Sequence, residues 1–301
     1  MISSLFVDVI VIGAGLSGLQ AAVDLDKAGL SYIVHEANDR DGGKALSVPA
    51  SPKRDGLVDL GAARINDSNQ KEMYALAQDF GFDLVVQRSE GLSPDQSNGS
   101  THAIPFEQFK DFTNEQLAEI LAIMAKLDEF GDGIAEVLMM MLARDLLAVE
   151  ADKLSALLLI NYIKSGTGLA NISSDRKDGG HIICFHVGQP GRKWSQLCDQ
   201  EHRDTAVKQF NDAFGAVVPE PIDIIEKDWL KDPWFPGGPS LVMKPGLLTG
   251  AGKSIRDLFK NIYFIGTETF IVWKGYMEGA IRSGIRGACE IIEALDGLAY
   301  L

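Results

Sequence analysis

The chain has 301 residues, of which 46% are hydrophobic and 23% charged. This is globular composition, and it excludes disordered, collagen-like and coiled-coil classes. The formal net charge of −14 has the wrong sign for a nucleic-acid backbone or an anionic membrane surface, so neither partner is expected.

Cys184, Cys198 and Cys289 are widely spaced and form neither a CxxC pair nor a disulfide framework. That usage fits a reducing compartment, so a cytoplasmic location is expected. No signal peptide and no apolar run of membrane-spanning length is visible.

Phe6 to Ile12 is rich in β-branched residues and reads as a buried parallel strand. A glycine-rich turn follows, then a helix over Leu19 to Ala28 stopped by Gly29, then a strand over Ser31 to Glu36. This is a βαβ start. Asn69 to Phe80 reads as a helix with Met73, Leu76, Ala77 and Phe80 on one face. Ser89 to Thr101 is polar and reads as a loop. Asn114 to Ile163 reads as almost entirely helical and is unusually apolar around Val137–Leu142 and Leu157–Ile160. Gly166 to Gly180 is a connector, Ile182 to Val187 a strand, and Asp199 to Phe214 an amphipathic helix. Asp232 to Pro245 is a Pro/Gly loop, Ile262 to Ile265 an apolar strand, and Met277 to Leu295 the last helix.

Gly13-Ala14-Gly15-Leu16-Ser17-Gly18 sits between the first strand and its helix, the setting a dinucleotide fingerprint requires. The first glycine permits the tight turn, the second lets backbone approach a pyrophosphate, and the third lets helix pack on strand. The helix N-terminus offers free N–H groups to phosphate, and Leu16 and Ser17, in the turn before it, are expected to contact the cofactor. Glu36 ends the second strand, 18 residues after Gly18. An acid there binds a ribose 2′-OH and repels a 2′-phosphate, which disfavours NADP.

Asp39-Arg40-Asp41-Gly42-Gly43-Lys44 follows, after Ala37 and Asn38. Here the chain resembles the flavin monoamine oxidase family, whose second strand ends in an acid followed by a D-R-x-G-G-R segment over the FAD pyrophosphate. Lys44 stands in place of the family's arginine, keeping charge but losing the bidentate fork. Asp59-Leu60-Gly61-Ala62-Ala63-Arg64 is similar to the family segment beside the flavin ring. Ile262 to Thr269, containing Gly266, Thr267 and Glu268, and Trp273-Lys274-Gly275-Tyr276-Met277-Glu278 resemble its second FAD motif.

The resemblance implies an α/β fold: a Rossmann-like, GR2-type FAD-binding domain with a reduced, mainly helical substrate domain. The division it implies is 1–84 and 236–301 for the FAD part and 85–235 for the substrate part. It implies an oxidoreductase that oxidises an amine or related small molecule by hydride transfer to FAD, with O2 as reoxidant. Tyr276 matches one of the two aromatic rings the family places before the flavin, and Tyr276 and Trp273 are expected to line the catalytic pocket. Ser240 falls at the other ring's position and Pro239 at that of the flavin-linked cysteine, so FAD is expected to be non-covalent.

The family is longer by about a domain. The match breaks near His181 and Ile182, where a segment carrying a water-positioning lysine is absent. A shortened scaffold also admits two other readings: recruitment as a non-redox isomerase or cyclase, or a non-catalytic paralogue. Loss of the segment should uncover apolar surface and favour a homo-oligomer. His181, Cys184 and His186 lack a fourth ligand and do not face one side of a strand, so no metal is expected. Arg192 and Lys193 near Trp194 read as a solvated turn.

Overall fold

The computed structural model describes residues 6–51, 54–82, 84, 92–95, 102–105, 186, 188–214, 221, 223–238, 247 and 250–298. The expected helical stretch 114–163, the connector 166–180 and all but residue 186 of the strand 182–187 lie outside these residues, as do Pro239 and Ser240.

β1 (Val9–Ile12) and β2 (Tyr32–His35) pair in parallel, with Val9 opposite Tyr32 and Ile12 opposite His35. Between them runs α1 (Leu16–Lys27). It begins immediately after the glycine turn, earlier than expected, because Leu16, Ser17 and Gly18 already take helical conformation. A Cβ on Gly18 would run into the carbonyl oxygen of Gly13, so only glycine lets the helix lie this close to the turn.

α5 (Met277–Leu298) packs against α1. Gly284 makes that contact close: its Cβ would meet the Ser17 carbonyl oxygen. The core under these helices is Val11, Ala21, Leu25 and Ala288, ringed by Val9, Tyr32, Val34, Ile265 and Ile291.

Several expectations need correction. The run Phe6 to Ile12 reads as a buried parallel strand. Its inner face holds Val11, but Ile10 and Ile12 on the other face are 59% and 86% exposed. Residues 262–265 were read as a strand, yet only an isolated bridge, Phe259 to Ile262, forms there. Ile265 is instead held by packing against the core, and the Phe264 carbonyl accepts from the Arg286 guanidinium at 2.5 Å.

Two hairpins were not foreseen. β3 (Ser47–Ser51) pairs antiparallel with β4 (Arg54–Asp59), and β5 (Leu92–Asp95) with β6 (His102–Pro105). Proline and glycine interrupt the apolar alternation that would have revealed them. β5 also falls inside the stretch read as loop.

α2 spans Lys71–Asp79, shorter than the expected helix. Asn66 Oδ1 accepts from the backbone of Ser68 and Asn69, holding the preceding residues in a turn. α3 (Gly188–Trp194) carries Arg192 and Lys193 on a helix and not in a turn, while α4 (Asp199–Phe214) matches expectation. Among the described residues no helix is long and apolar enough to cross a membrane.

Candidate cofactor site

The glycine turn, the end of β2 and the Gly42-Gly43 segment converge. Gly13 takes φ +100°, a left-handed conformation that glycine adopts without steric cost. Gly42 N donates to Ala14 O at 2.8 Å, and Gly15 bridges Gly42, so the second segment folds over the first. A Cβ on Gly43 would lie 3.3 Å from the Gly15 Cα. Gly13, Gly15, Glu36, Ala37 and Gly43 line one cleft, together with Ile12 and His35. Leu16, Ser17 and Gly18 form the first turn of α1 behind it, and no side chain caps that turn.

Glu36 binds backbone on both sides. Its Oε2 accepts from Ala14 N at 2.7 Å, and its Oε1 from the N–H groups of Ala37 and Asn38. The N–H donors of Asn38 and Ala14 hold its carboxyl below the usual range, against a smaller opposing effect of burial. Oε2 carries one of these bonds, leaving acceptor capacity for a ribose hydroxyl. An ionised acid at this place repels a 2′-phosphate, as the sequence implied.

Lys44 does not project freely at the cleft. It donates to Gly238 O at 2.9 Å. Burial lowers its pKa from the ordinary lysine value, opposed by the charges of Glu268 and Asp232. Gly61 packs beneath it, and Ala62 N donates to Lys44 O at 2.9 Å. Ala63 and Arg64 continue from that point along the chain.

The C-terminal motif forms a second, adjoining cluster around Thr267. The Thr267 hydroxyl accepts from Gly275 N at 2.7 Å and donates to Tyr276 O at 2.9 Å. Gly266 N donates to Ser283 Oγ, tying Gly266, Thr267 and Glu268 to α5. Met277 opens α5. Trp273 is 3% exposed, takes φ +57° and donates from its indole nitrogen to Asn69 O at 3.1 Å. Its ring meets Tyr276 edge-on at 5.0 Å. Trp273 is thus an anchor, with the half-buried Tyr276 standing on it.

Sequence reasoning places a loop from Asp232 onward but assigns Trp234 and Phe235 no part in the cleft. Trp234 and Phe235 line the same cleft as Glu36. Buried Asp232 organises them: its Oδ1 accepts from Trp234 N at 3.1 Å and Phe235 N at 3.2 Å, and its Oδ2 pairs with Lys227 at 3.0 Å. Trp229 donates to Leu60 O at 2.8 Å and accepts from Gly237 N at 2.8 Å. The one available signal was the Asp-Pro-Trp-Phe-Pro-Gly-Gly string, a turn-former carrying two adjacent aromatics.

His186 stacks on Trp194 at 3.6 Å, and Trp194 stacks on His202 at 4.8 Å. His202 Nδ1 pairs with Glu226 at 2.8 Å, at the foot of the same loop. His181 and Cys184 lie outside the described residues.

A cleft floored by glycine backbone, bounded by a helix start and an ionised acid, suits a dinucleotide. A side chain at Gly15 or Gly43 would fill it. The model for flavin containing amine oxidoreductases matches residues 16–150 and 159–292. The chain belongs to the flavin-containing amine oxidoreductase family. The human flavin-containing amine oxidase B is 34% identical over 115 residues, 38% of this chain and 22% of that protein. The dog flavin-containing amine oxidase A is 41% identical over 80 residues, 27% of this chain and 15% of that one. The matched part therefore spans about a fifth of the length of these curated relatives.

Among solved structures, a cyclohexylamine oxidase from Brevibacterium oxydans aligns with TM-score 0.81 at 19% identity, over 96% of this chain and 99% of that one. A putrescine oxidase bound to putrescine aligns with TM-score 0.80 at 16% identity, over 96% and 99%. These likenesses establish the fold, a Rossmann-type FAD-binding architecture. Non-covalent FAD is the family's general cofactor, and the cleft residues fit it. Cys198 and Cys289 are exposed and lie outside the cleft.

Proposed function

We propose that this chain binds FAD non-covalently and oxidises an amine or related small molecule. When bound, FAD supplies a two-electron acceptor that takes hydride from the amine's α-carbon and passes the electrons to O2, leaving imine and hydrogen peroxide. The cleft supports this reading more than any other observation. Gly13 and Gly15 admit the pyrophosphate to bare backbone, and the uncapped start of α1 offers N–H donors. Glu36 orients the ribose. Tyr276, propped by Trp273, would form an aromatic wall for substrate, and α5 begins beside it.

The wider organisation belongs to the same proposal. Residues 1–84 and 236–301 form the FAD part, with the loop 227–238 clasped to it, and 85–235 form a reduced helical substrate part. The site residues are those of the two motifs. The protein resides in the cytoplasm and self-associates, which light scattering tests: a strict monomer removes that element. Family membership favours oxidation over the isomerase or non-catalytic readings.

The decisive experiment is an absorption spectrum after gel filtration. A retained flavin spectrum that an amine bleaches anaerobically is the expected result. Retained flavin that no amine reduces would remove the oxidase reading. Protein that takes up no FAD would overturn the proposal entirely.

A further inference from the structure

At the foot of the loop 227–238 three rings stack. The Trp194 indole, at the end of α3, lies between the ring of His186 at 3.6 Å and that of His202, on α4, at 4.8 Å. Both ring nitrogens of His202 face oxygen. Nδ1 lies 2.8 Å from Glu226 Oε2, and Nε2 lies 2.7 Å from the Trp194 carbonyl oxygen. A carboxylate and a carbonyl only accept, so both nitrogens must donate, and a histidine that donates from both is an imidazolium. A neutral ring would turn a lone pair against one of these oxygens in a buried place, at the cost of an unmade hydrogen bond.

This joint is tied to the cleft wall. Glu226 Oε1 accepts from the Trp194 indole at 2.7 Å, and Ser195 donates to Asp228 Oδ2 at 2.6 Å. Asp228 Oδ1 accepts from Leu230 N at 3.0 Å and caps the turn Trp229–Lys231. Trp229 binds Leu60 O, and Asp232 follows, holding the backbone of Trp234 and Phe235 in the cleft wall. Besides Glu226, the titratable groups acting on His202 among the described residues are His186 beyond the indole and Glu201 on α4. Burial holds His186 below the ordinary histidine value, opposed by the charge of Glu226 and reinforced by that of His202. Resting on the FAD reading above, we infer that the doubly protonated ring of His202 is a latch that fixes the cleft-wall loop, so that the protein holds its cofactor more tightly with that proton than without it. Raising the pH removes the proton, sets a ring lone pair against oxygen and releases the foot of the loop. His202 lies outside the cleft lining and acts as a positioning residue.

The test follows the full-length protein through a pH titration by proton–nitrogen NMR, with FAD affinity measured calorimetrically at each pH. Ring nitrogen shifts report the doubly protonated form, and His202→Gln and Trp229→Phe identify the two signals needed. In the apoprotein the Trp229 indole N–H should shift at the pH where the His202 ring loses its proton. FAD affinity should fall about tenfold across the same pH. His202→Gln and Glu226→Gln should bind FAD at the weaker level and lack that step, with far-ultraviolet circular dichroism unchanged. If these variants fail to fold, the titration of the unsubstituted protein decides alone. A His202 ring that is neutral at every pH where the protein is folded overturns the latch. If FAD binds but its affinity does not follow the ring's proton, the latch is overturned while the FAD reading stands. If no FAD is taken up, the cofactor reading falls, and a Trp229 signal that ignores the ring's proton overturns the latch separately.

Discussion

Single residues set the terms of the cofactor cleft. Gly15 faces it without a side chain, and its neighbour Gly43 comes close behind. Gly15→Val should therefore abolish FAD retention through gel filtration while far-ultraviolet circular dichroism is preserved. Asp232 governs the loop opposite. Burial raises its pKa, but the Lys227 ion pair and the Trp234 and Phe235 N–H groups outweigh this and hold the carboxyl below the ordinary aspartate value. A depressed carboxyl binds fewer protons in the folded state. Its contribution is complete above the ordinary aspartate value and is lost as pH falls through the folded value. Tryptophan fluorescence on acid titration should show the loop releasing in that window, and Asp232→Asn should lack the step. The glycines were legible in the sequence because their spacing carries the chemistry. Asp232 was not, because an acid before proline in a loop has no period to betray it.

At the scale of elements, the joint between α2 and α5 holds the second motif in place. Glu278, in the first turn of α5, is fully buried. It pairs with Arg282 at 2.6 Å and accepts from Met73 N at 2.8 Å, so it caps α2 from another helix. α2 has no side-chain cap of its own from Gln70. Glu278→Ala leaves Arg282 and the start of α2 unpaired and should cost on the order of 3 kcal/mol, read by urea denaturation. A smaller loss for Glu278→Gln would fit retention of the cap without the charge. Gly284→Val should also destabilise, since the added Cβ would force α1 and α5 apart. The helices α1, α2, α4 and α5 were readable from apolar periodicity and glycine stops, whereas the short α3 was not. The hairpins β3–β4 and β5–β6 were not, because their strands are short and broken by proline or glycine. The strand expected at 262–265 illustrates the converse: β-branched residues there serve packing, and strand pairing does not follow.

For the whole molecule, the cleft is assembled from segments near residues 13, 36, 43 and 234. The second cluster, near 267 and 276, adjoins it through the charge of Glu268 on Lys44. A ligand spanning these places joins both ends of the chain. FAD at a hundredfold its dissociation constant should add about 2.7 kcal/mol of stability, a melting-temperature rise of several degrees by differential scanning fluorimetry. The rise should be absent in Gly15→Val. A rise of equal size with FMN would show that the adenosine half contributes nothing.

The sequence by itself determined the βαβ start, the dinucleotide preference and the family, because those depend on residue types at fixed local spacing. Tertiary structure alone decided that the outer face of β1 is open, that Trp273 is an anchor, that Glu278 caps a distant helix and that the loop 227–238 walls the cleft. Each of these depends on residues far apart in the chain meeting in space, and on the side-chain and backbone groups left unpaired until they do.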